Sequence, residues 1–144
     1  MVKVFKFIVV DDHPIVRRGL VESLRDEADF EVIAEGGSAD DAVRLAETLV
    51  PDLIVLDVNM PGSGVEAARR ICAAVPRVVI LMFSFRQDIE IVQACREAGA
   101  KGYIVKGASS AKLNGAIRQL LAGQTYIDPV LTGLLGTSTG AASD

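Results

Sequence analysis

The chain has 144 residues, enough to bury one core without disulfide or metal staples, and a formal net charge of −4, which argues against nucleic-acid binding by this segment alone. Half of it is apolar, but the apolar runs are strand-sized, well short of the roughly 18 residues a membrane span needs; with no evident signal peptide, the expected compartment is the cytoplasm. Two cysteines, Cys72 and Cys95, are too few for a disulfide scaffold and, beside a single histidine, too few for a zinc site, so both are expected as reduced helix-packing residues.

Phe5 to Val10 is apolar and β-branched, as a strand covered on both faces should be. Pro14 opens a helix running to about Asp26, with Ile15, Val16, Leu20 and Leu24 on one side. Glu31 to Ala34 reads as a short strand. Ser38 caps a second helix, with Asp41 three residues on, and Pro51 stops it. Leu53 to Leu56 is the third strand and Val65 to about Val75 the third helix. Val78 to Met82 is the fourth strand, followed by a helix from Gln87 to Ala98 that Gly99 ends. Gly102 to Val105 is the fifth strand. Ser109 or Ser110 caps a last helix that reaches Leu121 and ends at Gly123.

Five such βα units imply an α/β fold, doubly wound: a five-stranded parallel sheet with helices on both faces. Two strand orders are open. One is the flavodoxin-like 2-1-3-4-5, whose ligand site lies at the switch point between strands 1 and 3. The domain is expected over residues 1–124. Residues 125–144, rich in Gly, Ser, Thr and Ala, read as a linker or tail.

Ligands of such sheets bind at the carboxyl ends of the strands. There the chain carries Asp11 and Asp12 after strand 1, Asp57 after strand 3, Ser84 after strand 4 and Lys106 after strand 5. Singly, each has an ordinary explanation: a solvated acid pair, a loop acid, a cap, a surface charge. Gathered at one edge, three carboxylates repel, and a hard divalent cation such as Mg²⁺ relieves the conflict. A lysine adds fixed positive charge, a serine can donate to an anionic oxygen, and a carboxylate can itself attack phosphorus. The set suits phosphoryl transfer.

Val9-Val10-Asp11-Asp12-His13-Pro14, Leu56-Asp57-Val58-Asn59-Met60-Pro61-Gly62, Ser84, and Gly102-Tyr103-Ile104-Val105-Lys106 resemble the receiver domain of bacterial two-component response regulators over about residues 4 to 123. The resemblance implies the flavodoxin-like (βα)5 order and a signalling switch rather than an enzyme acting on other molecules. It implies Asp57 as phosphoacceptor, Asp12 as direct Mg²⁺ ligand, Asp11 as a ligand through water, and the Asn59 backbone carbonyl as a further ligand. Lys106 would pair with phosphoryl oxygens. Ser84 and Tyr103 would form the switch pair, the hydroxyl moving to the phosphoryl group and the ring turning inward behind it. Asn59 and Arg86 stand where similar proteins tune the lifetime of the phosphoryl group. His13 is a loop residue in this pattern and is given no catalytic role. The implied partners are a sensor histidine kinase and, on phosphorylation, a second copy of the chain.

Asp-Asp-His-Pro, Asn-Met-Pro-Gly and Leu121 to Ile127 are similar to the NarL/LuxR-type regulators, which continue into a helix-turn-helix DNA-binding domain. The chain is therefore expected to be either the receiver part of a longer transcription regulator, which the linker-like tail favours, or a stand-alone receiver. It departs from the pattern in three places. The loop Met60-Pro61-Gly62-Ser63-Gly64 is one residue short before the third helix, which bears on metal binding, and Ser63 is a candidate cap. Phe85 follows Ser84 where a smaller residue is usual, and is expected to narrow access to the phosphoryl group and slow its turnover. Gly107 follows Lys106 where many receivers have a cis-proline. Two other readings remain: a phosphatase-like hydrolase, opposed by Asn59 where such enzymes carry a second acid, and a pseudo-receiver acting through protein contacts alone.

Overall fold

All four side chains of Leu53–Leu56 are buried, so this strand must lie mid-sheet with helices over both faces. The structure, a computed structural model, describes residues 3–131. In chain order it comprises β1 (Phe5–Val10), α1 (Pro14–Arg25), β2 (Phe30–Gly36), α2 (Ala39–Leu49), β3 (Leu53–Leu56), α3 (Gly64–Ala74), β4 (Val79–Ser84), α4 (Ile89–Glu97), β5 (Gly102–Val105), α5 (Ser110–Leu121) and β6 (Tyr126–Ile127). The sheet is parallel, in the order β2-β1-β3-β4-β5-β6.

Alternate residues of each strand serve opposite layers. Ile8, Val10, Ile54, Leu56, Ile80 and Met82 pack with α2, α3 and α4 through Ala42, Ala46, Ala68, Ile71 and Cys95. Phe7, Val9, Leu53, Val55, Leu81 and Ile104 pack with α1 and α5 through Leu20, Leu24, Leu113 and Ile117. Cys72 and Cys95 are free thiols in the first of these layers, and burial pushes the Cys95 thiol up to about 11. Among the described residues, no helix is long and apolar enough to cross a membrane.

The sheet has six strands, which corrects the expectation of five; the order 2-1-3-4-5 holds within it. β6 pairs with β5, Gly102 opposite Tyr126 and Tyr103 opposite Ile127. The Asp128 N–H then donates to the Tyr103 carbonyl at 2.9 Å, and Leu131 is buried. The packed unit therefore runs on through residues assigned to the linker, as far as Leu131; residues 132–144 of that linker lie outside the described residues. β4 also runs two residues further than its apolar pattern, so that Ser84 is a strand residue with no exposure.

The caps follow from short polar side chains at helix starts. Ser38, Ser63 and Ser109 each accept from the backbone N–H three residues on, at Asp41, Glu66 and Lys112. Asp41 reaches back one residue beyond the capping-box partner, accepting from the Gly37 N–H at 3.1 Å.

Candidate functional site

The switch point between β1 and β3 brings two buried carboxylates to neighbouring strand ends. The Asp57 N–H donates to the Val10 carbonyl at 3.0 Å, so the chain leaves β3 in register with β1, and Asp11 and Asp57 are only 2% and 3% exposed. Lys106, just beyond β5, reaches across both. Its Nζ is 2.8 Å from Asp11 Oδ2 and 3.2 Å from Asp57 Oδ2. These are ionic contacts of poor hydrogen-bond direction, so both oxygens keep unused lone pairs although buried.

Asp57 and Asp11 respond differently to the shared lysine. Burial pushes the Asp57 carboxyl above its usual range; the Lys106 charge opposes this, and the neighbouring Asp11 charge adds to it. Burial acts on Asp11 too, but there Lys106 and the His13 backbone and ring outweigh it and leave the carboxyl below its usual range. The His13 N–H donates to Asp11 Oδ1 at 2.8 Å, whereas Asp57 Oδ1 accepts only a long bond from the Asn59 N–H at 3.3 Å. Of the two buried carboxylates, Asp57 has the less compensation.

Asp12 lies at the open side of the same cluster. The His13 Nδ1 sits 3.1 Å from Asp12 Oδ1, 2.9 Å from Asp11 Oδ1 and 3.6 Å from Asp57 Oδ2. One ligand atom from each of these four residues lies within 4.8 Å of the others. Three carboxylates against one ammonium, with two buried oxygens lacking hydrogen bonds, fit a hard divalent cation. The sequence pattern gives His13 no role, yet its ring stands at the mouth of the site, and the bond to Asp11 holds its pKa above the usual imidazole value. Its place beside two acids is the only sequence signal. Arg17 is a further supporting residue with no sequence signal: its guanidinium donates to the Asp11 carbonyl at 2.7 Å and fixes the end of β1.

The loop after Asp57 folds back on it. The Gly64 N–H donates to the Val58 carbonyl at 2.9 Å, and a Cβ on Gly64 would lie 1.9 Å from the Asp57 carbonyl oxygen, so no other residue fits there. Ala39 N–H donates to the Pro61 carbonyl at 2.8 Å, tying the loop to α2. The short loop is thus anchored at both ends, with Ser63 as the α3 cap.

Ser84 and Tyr103 meet at Arg86. Ser84 Oγ accepts from the Arg86 N–H at 3.1 Å, and the Tyr103 hydroxyl donates to the Arg86 carbonyl at 2.7 Å. The Tyr103 ring is already inside, 1% exposed, and burial pushes its phenol up to about 12. The Lys106 N–H donates to the Ser84 carbonyl at 2.8 Å, so Ser84 and Lys106 share one backbone junction. Gly107 takes φ +103°, a left-handed conformation that glycine adopts without strain, and no peptide bond among the described residues is cis.

Known proteins share this sequence pattern and fold. Residues 7–118 match the family described as the response regulator receiver domain. The chain is 37% identical over 125 residues to response regulator GacA of Pseudomonas aeruginosa, covering 86% of this chain and 58% of that one. It is 36% identical over 121 residues to response regulator UvrY of Escherichia coli, covering 83% and 56%. The chain thus spans somewhat over half the length of the curated relatives it matches. A solved two-component response regulator of the LuxR family from an Aurantimonas species superposes with a TM-score of 0.91 at 33% identity, over 96% of this chain and 99% of that one.

Proposed function

The chain belongs to the response regulator receiver family and is a signalling domain, and from that membership we propose that its switch is thrown by phosphoryl transfer to Asp57. A carboxylate oxygen of Asp57 attacks the phosphorus of a phosphohistidine on a partner sensor kinase. The P–N bond breaks, and the imidazole leaves as the aspartyl phosphate forms. Lys106 neutralises charge on the transferring group. Receiver domains bind Mg²⁺ at an acidic pocket of the kind seen here. Asp11, Asp12, Asp57 and the Asn59 backbone carbonyl would hold it, and it supplies positive charge beside the phosphoryl oxygens.

Ser84 then turns its hydroxyl to the phosphoryl group, releasing the Arg86 N–H it now accepts from. Tyr103, tethered to the Arg86 carbonyl, carries that change to the surface of α4, β5 and α5. The output is dimerisation in the cytoplasm and, in a longer protein of the GacA or UvrY kind, control of transcription through a DNA-binding domain. The observation that carries this reading is the buried Asp57 oxygen, in contact with Lys106 and lacking a hydrogen bond, at the β1/β3 switch point.

The test is the intact-protein mass after incubation with Mg²⁺ and acetyl phosphate, beside Asp57→Asn. One phosphoryl group on the parent and none on the variant is the expected result. No addition to the parent would replace this reading with the pseudo-receiver.

A further inference from the structure

Phe85 stands at the open end of β4 with 65% of its surface exposed, next to a lysine whose side chain is only 3% exposed. The centre of its ring is 5.2 Å from Lys106 Nζ, within the range at which an aromatic face attracts an ammonium. Lys106 otherwise contacts Asp11 and Asp57 by charge alone, without well-directed hydrogen bonds, at the end of a flexible four-carbon stem. The ring is a third contact, on the solvent side of a lysine whose remaining charge contacts are the two buried carboxylates. Its backbone is not free to drift: Ser84 Oγ and the Arg86 N–H are bonded across Phe85, and Ser84 also accepts from the Lys106 N–H.

We propose that Phe85 is a positioning residue for Lys106, holding the ammonium against the Asp11–Asp57 pair and keeping water off that side, so that a phosphoryl group on Asp57 hydrolyses slowly. The inference rests on Asp57 being the phosphoacceptor. In the hydrolysis, a water oxygen attacks phosphorus, the bond from phosphorus to the Asp57 oxygen breaks, the carboxylate is restored, and inorganic phosphate leaves with the water's protons. Phe85 slows this by covering an approach and by keeping Lys106 from opening the pocket.

The test compares the parent with Phe85→Ala, Phe85→Leu and Phe85→Tyr, each loaded with acetyl phosphate and Mg²⁺ and then freed of donor. Loss of the phosphoryl group is followed by intact mass. Lys106 side-chain proton shifts are followed in parallel by NMR, since an aromatic face moves them upfield. Phe85→Ala should shorten the lifetime about tenfold, Phe85→Leu about threefold, and Phe85→Tyr less than twofold, because tyrosine keeps the ring face and leucine only the bulk. The upfield shift should persist in Phe85→Tyr and vanish in the other two. An unchanged lifetime in Phe85→Ala, a full lifetime in Phe85→Leu, or Lys106 protons indifferent to all three changes would each overturn the proposal. A parent that takes up no phosphoryl group would overturn the Asp57 reading and the lifetime claim with it, while the Lys106 shifts would still decide whether the ring holds the lysine.

Discussion

Two buried aspartates of this molecule, Asp57 and Asp128, each meet a lysine, yet they do opposite things. Asp128 is 1% exposed and fully served: Oδ2 accepts from the Val105 N–H at 2.9 Å, and Oδ1 accepts from Lys112 Nζ at 2.7 Å and from the Val130 N–H at 3.1 Å. Burial pushes its carboxyl up, but Lys112 and the two backbone donors outweigh burial and hold it below the usual range. Asp57 shares its lysine with Asp11, has one long backbone bond, and is pushed up instead. The chemistry of the pairs is the same; the number of donors per carboxylate differs. A saturated carboxylate is a clasp, here fastening the segment from β6 to Val130 against β5. An undersupplied one keeps lone pairs free, as the proposed role of Asp57 requires.

The largest expected effect separates the two lysines. Lys106→Met should cut phosphoryl incorporation from acetyl phosphate by about 10²-fold or more, the scale of losing one preorganised charge at a reacting centre. Lys112→Met should leave incorporation within about twofold, because among the described residues its ammonium pairs with Asp128 of the clasp. Mass time courses on both variants measure this. An equal loss in both would make Asp128 part of the reacting site and dissolve the contrast.

The next effect separates the two acids by stability. Asp128→Asn removes a charge that three donors serve, and should lower unfolding free energy by about 2–3 kcal/mol. Asp57→Asn removes an under-compensated buried charge, and should raise it by about 1 kcal/mol in metal-free buffer. Urea unfolding at neutral pH reads both. Destabilisation by Asp57→Asn as large as that by Asp128→Asn would show that the pocket holds the fold together as the clasp does.

Much of this contrast is visible in the sequence on one side only. The acids of the candidate site are legible because each ends an apolar strand: Val9-Val10 before Asp11 and Leu53 to Leu56 before Asp57, with Lys106 after Val105. Side-chain chemistry at strand ends is a pattern of residue types, and types are what a sequence displays. The clasp is not legible, because two of its three donors are backbone N–H groups that any residue but proline carries. β6 is two residues long, too short to show a period, so Asp128 reads as part of a linker. Phe85 stands out as unusually large, but its place over Lys106 depends on how β4 and β5 are brought side by side. His13 reads as a bystander because Nδ1 meets three carboxylates only once β3 lies beside β1.

The smallest effect is the pH dependence of those stability differences, and it has opposite meanings at the two sites. Asp128 has a folded pKa below its unfolded value, so its stabilisation is complete above the ordinary carboxylate range and is lost as pH falls through the folded value. Asp57 has a folded pKa above its unfolded value. Between the two values the folded state binds more protons than the unfolded chain, so stability falls as pH rises through that window and the penalty is complete only above the folded value. Asp128→Asn should therefore lose its disadvantage only in acid below the ordinary aspartate range, whereas Asp57→Asn should lose its advantage sooner, as pH falls through the window between the folded Asp57 value and that range. Mg²⁺ adds the missing charge beside Asp57 and stabilises the parent by binding it, so saturating Mg²⁺ should narrow or invert the Asp57→Asn advantage by about 1 kcal/mol while leaving the Asp128→Asn difference where it was. Unfolding curves for the three proteins across pH, with and without Mg²⁺, measure all of this. Two differences that moved together with pH, or that both ignored Mg²⁺, would mean that the supply of donors is not what divides the clasp from the reacting site.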